Sequence, residues 1–353
     1  MSSPGPSDRI ALLRILDAAA NRGREGLRVI EDWARFGLDD AHLTECLKEI
    51  RHDLAAVLAS IPWEHRLAAR DTQADVGTAI HTPSENHREN VVEVLTANFL
   101  RLEESLRSLE EFGKIFNPAV GQAVGQLRYR AYTLQRAIDA TRVGLHRLAD
   151  ARLYVLLDGR SSIEHFEQLA GALIHSGVDV LQLRDKRLAD CELIDRARRL
   201  RNLTAGTATL LIVNDRPDVA ALAGADGVHV GQEELSVKDA RTIVGPEALI
   251  GVSTHTLDQA RQAVLDGANY IGVGPTFPSG TKQFTHFPGL ELLHAVAAEV
   301  RLPAFAIGGI THDNLGQVLS AGFTRIAVSG AVVEADDPGR AAREIRAELS
   351  TEK

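Results

Sequence analysis

The stretch VDVLQLRDKRLADCELIDRARRLRNLTAGTATLLIVND, residues 178–215, decides the fold. It opens on an apolar run, VDVLQL (178–183), passes through a helical pattern over 189–202, and closes on a second apolar run, TLLIV (209–213). A strand whose hydrophobic residues do not alternate with polar ones is buried on both faces, which is the mark of a parallel sheet covered by its own crossover helices. The unit therefore reads β-α-β.

The same alternation continues on both sides. Six further runs, LYVLL (153–157), GVHV (227–230), LIGVS (249–253), YIGVG (270–274), PAFAIG (303–308) and RIAVS (325–329), bring the total to eight. Helical stretches such as 163–175, 257–266, 312–320 and 338–349 separate them. Eight such units over about two hundred residues predict an α/β fold of the (β/α)8 TIM-barrel type. A doubly wound open sheet is the competing architecture, but it has fewer repeats and a glycine-rich first turn that this chain lacks.

The N-terminal part follows a different period. Leu95, Phe99, Leu102, Leu106 and Leu109 recur at spacings of four and three, one stripe of an amphipathic helix. Similar patterns run over 9–20, 24–36, 41–59 and 119–142, with Pro62, Pro83 and Pro118 as breaks. An all-α domain of four to six helices is expected over 9–149, after a disordered tail (1–8) and before a barrel domain over 150–353, with the junction near 143–151.

Composition narrows the function. With a net charge of −9 and no basic excess in either part, the 353-residue chain is not expected to bind nucleic acid. No apolar run approaches membrane-spanning length, so no membrane partner is expected. Cys46 and Cys191 show neither metal nor redox spacing, which points to a reducing, cytoplasmic setting.

In a (β/α)8 barrel the chemistry sits at the C-terminal ends of the strands. Those ends carry Gln182, Arg184 and Lys186 after the second strand, Asn214 and Asp215 after the third, and Gln232, Glu233 and Glu234 after the fourth. Ser253, Thr254 and His255 follow the fifth, and Ser279, Thr281 and Lys282 lie in the loop after the sixth. Gly308 and Gly309 follow the seventh, and Val328, Ser329 and Gly330 the eighth. Taken singly, Arg184 or Lys186 reads as a solvated loop charge, Asp215 as a helix cap near Pro217, His229 as a packed strand residue and Cys191 as inert. Taken together they converge on one mouth.

The residue types sort into two anion sites and a metal. Arg184, Lys186 and Lys282 exceed what one phosphomonoester needs, and Asp215 and Glu234 are hard oxygen ligands suited to Mg²⁺ shared with substrate phosphates, which points to a diphosphate. The Gly308-Gly309 turn and the Val328-Ser329 backbone lie where such barrels bind a phosphate through N–H groups, which suggests a second phosphorylated substrate. The stretch GPTFPSGTK (274–282) imitates a nucleotide phosphate loop, but its spacing is wrong and prolines interrupt it.

In order and spacing, QLRDK (182–186), ND (214–215), DGVHVGQEEL (226–235), GVSTHT (251–256), GPTFPSGTK, IGGI (307–310) and VSG (328–330) resemble the thiamine phosphate synthase family over 151–349. The resemblance implies a barrel that joins a hydroxymethylpyrimidine diphosphate to a thiazole phosphate, giving thiamine phosphate and diphosphate. It implies that Gln182, Arg184, Lys186, Asn214, Ser253 and Lys282 bind the pyrimidine diphosphate. Of these, Arg184, Lys186, Ser253 and Lys282 would act in catalysis. Asp215 and Glu234 would hold Mg²⁺, and Ser279, Thr281, Gly309, Val328 and Ser329 the thiazole phosphate. The family more often has Asp where this chain has Glu234. A thiazole tautomerase of the same fold and a non-catalytic binder of thiazole or thiamine phosphate are the alternatives. Neither accounts for the residues at the diphosphate end and the two carboxylates.

NRGREGLRVIED (21–32), ARDTQADVGT (69–78) and NFLRLEESLRSLEEFGK (98–114) resemble a helical domain found alone or fused to thiamine phosphate synthases and associated with phosphorylating hydroxymethylpyrimidine phosphate. A kinase without a phosphate loop would need Mg²⁺ and clustered arginines such as Arg28, Arg101 and Arg107. The competing reading is a docking or oligomerisation module whose helix-surface charges pair as Glu103–Arg107 and Glu110–Lys114. Homo-oligomer formation stays open.

Overall fold

The computed structural model describes residues 6–73, 75, 87–278 and 287–351. By its internal contacts the chain divides into two compact units, Met1–Arg136 and Ala137–Lys353, with the division inside one long helix.

The first unit is helical. Its elements are α1 (Pro6–Asp32), a π-helical turn (Trp33–Gly37), α2 (Ala41–Ala59), α3 (Trp63–Ala69), α4 (Val91–Phe116) and α5 (Pro118–Arg147), whose last residues belong to the second unit. Two expectations change here. The tail extends at most to residue 5, because α1 begins at Pro6, where proline is tolerated in a first turn and Asp8 favours the helix dipole. The patterns at 9–20 and 24–36 are one helix rather than two. Gly23 and Gly26 do not break it. Instead they let α4 approach closely, since a Cβ on Gly26 would stand 3.0 Å from the carbonyl oxygen of Asn98. Asp40 and Asn90 start α2 and α4 by accepting hydrogen bonds from the N–H groups of Leu43 and Glu93.

The second unit is a closed barrel of eight parallel strands in sequence order. They are β1 (Leu153–Leu157), β2 (Val180–Leu183), β3 (Leu210–Asn214), β4 (Gly227–Val230), β5 (Leu249–Thr254), β6 (Tyr270–Val273), β7 (Ala304–Ile307) and β8 (Ile326–Val328). Closure pairs Leu153 with Ile326 and Val155 with Val328. The helices between them are α6 (Ile163–His175), α7 (Asp190–Thr204), α8 (Pro217–Ala223), α9 (Val237–Val244), α10 (Leu257–Asp266), α11 (Gly289–Glu299), α12 (Leu315–Ser320), α13 (Gly330–Val333) and α14 (Pro338–Thr351). Among the described residues no helix is long and apolar enough to cross a membrane.

The N-terminal end of the barrel is filled by large side chains. Tyr154, Tyr270 and Phe305 are 2% exposed or less and pack edge to face or tilted, with ring centroids 5.2–6.1 Å apart. Tyr270 occupies space that Gly251 leaves open, because a Cβ on Gly251 would lie 2.1 Å from the tyrosine ring. Leu148 and Ala151, just before β1, belong to the same buried cluster and close the barrel floor. Burying rings of this size contributes roughly 1.5–3 kcal/mol each. The opposite end carries the polar residues.

Candidate active site

At the tip of β2 the chain turns from apolar to charged because Asp185 anchors the turn. Its carboxylate is 3% exposed and accepts hydrogen bonds from the N–H groups of Gly159 (3.1 Å), Arg187 (2.8 Å) and Leu188 (3.3 Å). Burial would raise its pKa, but those N–H donors and the Arg187 guanidinium hold it below the usual carboxylate range. The turn thereby presents Arg184 and Lys186 at the mouth. Arg184 is half-buried, and its guanidinium has no hydrogen-bond or ion-pair partner among the described residues. Asp185, which carries no ligand role in the sequence reading, is thus the residue that shapes this corner.

Lys186 ties the second strand end to the third and fourth. Its ammonium lies 3.0 Å from Asp215 Oδ2 and 3.6 Å from Glu234 Oε1, so both carboxylates reach one cation position. Asp215 sits at φ +60°, a left-handed conformation uncommon outside glycine, and its N–H donates to the His229 carbonyl at 2.8 Å. Asn214 ends β3 beside His229 in register. Two carboxylates fall short of a protein-only cage, and among the described residues no group of three or more His, Cys, Asp or Glu side chains could hold a metal.

A chain of five polar side chains runs through the barrel interior, down to the tyrosines of the floor and back up toward the mouth. Gln182 Nε2 donates to the Tyr154 hydroxyl (2.8 Å), which stands 3.1 Å from the Tyr270 hydroxyl; that in turn is 3.3 Å from His229 Nδ1, and His229 Nε2 is 3.0 Å from Ser253 Oγ. Burial pushes both phenols well above their ordinary pKa, so each keeps its proton. With Gln182 donating at one end, each hydroxyl must donate onward. Tyr270 then gives its proton to Nδ1, His229 carries hydrogen on Nε2, and the Ser253 hydroxyl is left to donate outward. At the other end, Gln182 Oε1 is buried and has no hydrogen-bond partner among the described residues. The mouth therefore offers one free acceptor and one free donor. His229, a packed strand residue in the sequence reading, is the link between them. The signal that could have found it was the alternation of β4, which turns His229 inward beside Gly272 of β6, at 3.4 Å from a Cβ built there.

The far side of the mouth is built from backbone. Gly308 and Gly309 have φ +101° and +63°, and a Cβ on Gly309 would lie 2.6 Å from the Pro278 carbonyl oxygen, so only glycine fits the turn. Phe277 N–H donates to the Gly308 carbonyl at 2.9 Å, fastening the start of the loop after β6 to the strand-seven turn. Val328 is buried in β8, while the Ser329 hydroxyl donates to the Leu156 carbonyl at 3.0 Å. The Ser329 hydroxyl is therefore engaged within the barrel wall. Ser279, Thr281 and Lys282 lie outside the described residues.

Of the arginines singled out in the helical unit, Arg28 and Arg107 already pair with carboxylates. Arg28 is bound to Glu31 at 3.4 Å, and Arg107 to Glu110 (3.4 Å) and Glu111 (3.0 Å) instead of Glu103. Arg101 donates to Asn98, and six residues of helix, at about 100° each, turn it away from Arg107. Lys114 does pair with Glu110, at 3.6 Å.

Comparison with known proteins gives matches along the chain. The family profile described as "Thiamine monophosphate synthase" matches residues 153–332, and that of the "ThiD2 family" residues 14–137. A thiamine-phosphate synthase of Rhodopirellula baltica is 44% identical, with 92% of this chain and 89% of the relative covered. One of Gloeobacter violaceus is also 44% identical, at 93% and 94% coverage. Among solved structures, a thiamine phosphate pyrophosphorylase from Pyrococcus furiosus is 35% identical with a TM-score of 0.52, covering 56% of this chain and 95% of that one.

Proposed function

The chain belongs to the thiamine phosphate synthase family, and from that premise we infer that its barrel joins 4-amino-2-methyl-5-hydroxymethylpyrimidine diphosphate to 4-methyl-5-(2-hydroxyethyl)thiazole phosphate. The products are thiamine phosphate and diphosphate. The observation that carries the reading is the pairing of the unpartnered Gln182 Oε1 with the outward Ser253 hydroxyl, beside an unpaired Arg184 and a Lys186 shared by two carboxylates. An aminopyrimidine offers the complementary edge, an amino N–H donor next to a ring-nitrogen acceptor. Asn214, Arg184, Lys186 and Lys282 meet the diphosphate. Ser279, Thr281, the Gly309 turn, Val328 and Ser329 hold the thiazole phosphate.

The bond between the pyrimidine CH₂ and the diphosphate oxygen breaks, its electron pair leaving on the diphosphate. The lone pair of the thiazole nitrogen forms the new C–N bond. No side-chain nucleophile takes part. Arg184 and Lys186 stabilise the departing charge from fixed positions, an effect worth up to several kcal/mol because the donors need no reorganisation at the moment of reaction. Holding the two substrates in line supplies the rest.

Magnesium fits this corner. Asp215 and Glu234 are hard oxygen donors that already reach a common cation position, and a two-carboxylate set leaves room for phosphate oxygens. When bound, the ion would neutralise the leaving diphosphate. The free cysteines accord with a reducing, cytoplasmic setting. The test is direct: purified protein, both phosphorylated substrates and Mg²⁺ should yield thiamine phosphate, and no product at saturating substrate would sink the reading.

The match to the ThiD2 family favours a second activity in the helical unit, phosphorylation of hydroxymethylpyrimidine phosphate to the diphosphate. ATP-dependent formation of that diphosphate by the full chain tests it.

A further inference from the structure

The helical unit contains a cluster of charges that its own folding does not explain. Asp17 on α1 is 4% exposed, and its Oδ2 accepts hydrogen bonds from Arg70 Nε (2.7 Å) and Asn21 Nδ2 (3.4 Å). Among the described residues the other oxygen, Oδ1, has no hydrogen bond, and Arg66 NH1 stands 4.0 Å from it. Arg66 on α3 is itself only 8% exposed, and its Nε is buried without an acceptor. A guanidinium taken out of water needs its N–H groups matched, and this one is not matched. Burial weakens its hold on the proton, Asp17 opposes that, and the like charges of Arg24 and Arg70 add to it.

Arg66 and Arg70 therefore face one carboxylate, and the exposed Arg24 adds its like charge to Arg66, so positive charge is in excess in a partly dry setting. Such an excess is costly unless an anion of matching charge completes it. A phosphomonoester carries about −1.5 to −2 at neutral pH and several strong acceptor oxygens, which suits forked guanidinium donors better than carboxylate does. Beside the cluster lies Trp63, 46% exposed, with the guanidinium carbons of Arg66 and Arg70 5.4 and 5.8 Å from its ring centroid. An accessible indole next to phosphate-binding cations is a platform for a flat aromatic ring.

We propose that Arg66, Arg70 and Arg24, oriented by Asp17, form a binding site in the helical unit for the phosphate of a small aromatic phosphomonoester, with Trp63 stacking on its ring. The site rests on the second activity above only for the identity of that ring. Asp17 is a positioning residue here: it fixes Arg70 directly and leaves Arg66 for the ligand. Of the three arginines singled out by the sequence, Arg28 and Arg107 are exposed and paired with carboxylates and Arg101 donates to Asn98, whereas Arg66 is buried with its Nε unmatched among the described residues.

The chain has two tryptophans, Trp33 and Trp63, both in the helical unit, so comparison with Trp63→Phe ties an emission change to this site. Titrating the full-length protein with inorganic phosphate should change the emission saturably. Potassium chloride at matched ionic strength should not, and Trp63→Phe should remove the response. Arg66→Gln and Arg70→Gln should each weaken the midpoint at least tenfold. If Arg66→Gln does not fold, the partly exposed Arg70 and the exposed Arg24 supply the test through Arg70→Gln and Arg24→Gln. No saturable change, or midpoints unmoved in the variants that fold, overturns the proposal. Phosphate bound here without ATP-dependent transfer refutes the kinase reading alone. Transfer without a phosphate-dependent emission change refutes this site alone.

Discussion

Replacing Tyr270 with phenylalanine removes one oxygen from the middle of the polar chain and little else. The ring stays, still filling the space left by Gly251 and still edge-on to Phe305 at a centroid distance of 5.8 Å. Two groups lose a partner: the Tyr154 hydroxyl, fully buried, loses the Tyr270 oxygen, and His229 Nδ1 loses the Tyr270 hydroxyl. A buried polar group left unmatched costs about 1–3 kcal/mol, and half-buried His229 falls at the lower end, so the variant should lose about 2–4 kcal/mol of stability. Kinetically, nothing then holds hydrogen on His229 Nε2, and Ser253 is no longer fixed as an outward donor. Losing about 1.4 kcal/mol of transition-state stabilisation would lower kcat roughly tenfold. Tyr154→Phe is the control, since it strands Gln182 Nε2 yet leaves Tyr270 donating to His229. The assay joins thiamine phosphate formation to ¹⁵N NMR of the His229 ring in the three proteins. Hydrogen on Nε2 is expected in the parent and in Tyr154→Phe, and mixed tautomers in Tyr270→Phe. A parent carrying the hydrogen on Nδ1, or Tyr270→Phe with parental tautomer and kcat, would refute the reasoning.

Asp215→Ala should raise the Mg²⁺ concentration for half-maximal rate at least about tenfold, whereas Glu234→Asp should stay close to the parent, as a magnesium titration of the rate would reveal. Arg184→Ala should lower kcat about a hundredfold, while Ser329→Ala should cost about 1 kcal/mol of stability and little rate, because its hydroxyl serves the Leu156 carbonyl; steady-state kinetics with thermal unfolding distinguishes them. The depressed pKa of Asp185 stabilises the fold above the unfolded carboxylate value of about 3.9 and is lost as pH falls through the lower folded value, so acid unfolding of Asp185→Asn should show a smaller dependence on pH in that window. A fragment covering 137–353 should fold, and one covering 150–353, which lacks Leu148 from the barrel floor, should melt at lower temperature by calorimetry.

What was legible in the sequence was what periodicity encodes. LYVLL and GVHV coincide with β1 and β4 residue for residue, and the pattern over 257–266 coincides with α10. These runs announce themselves because burial on two faces removes polar residues over a whole strand. Strand ends were equally legible, and the structure places Asn214 at the end of β3 and Lys186 beside Asp215 and Glu234 as that reading expected. The polar chain was not, because Tyr154, Tyr270 and His229 sit among apolar neighbours and their connection crosses the barrel between residues up to 116 apart in sequence. Asp185 was hidden for another reason: between two cations its carboxylate reads as a surface charge, and only the fold shows it turned inward to three backbone N–H groups. In the helical unit the periodic patterns at 9–20 and 24–36 leave a gap at the glycines, although one helix runs through Gly23 and Gly26 and both are contact points. Spacing alone does not separate those two uses of glycine.

The pairing of β1 with β8 has a consequence in time. Residue 153 waits for residue 326, so as the ribosome delivers the chain, one edge of β1 stays unpaired until nearly the whole protein has been made. That edge carries LYVLL, an uncharged segment, whereas the helical unit, which ends at Arg136, has been made in full before the first strand emerges. The interval between β1 leaving the exit tunnel and β8 arriving is the period in which this chain is most exposed to aggregation. Pausing translation late, within the last strands, should lengthen that interval and lower the soluble yield, while the same pause before residue 150 should leave it unchanged.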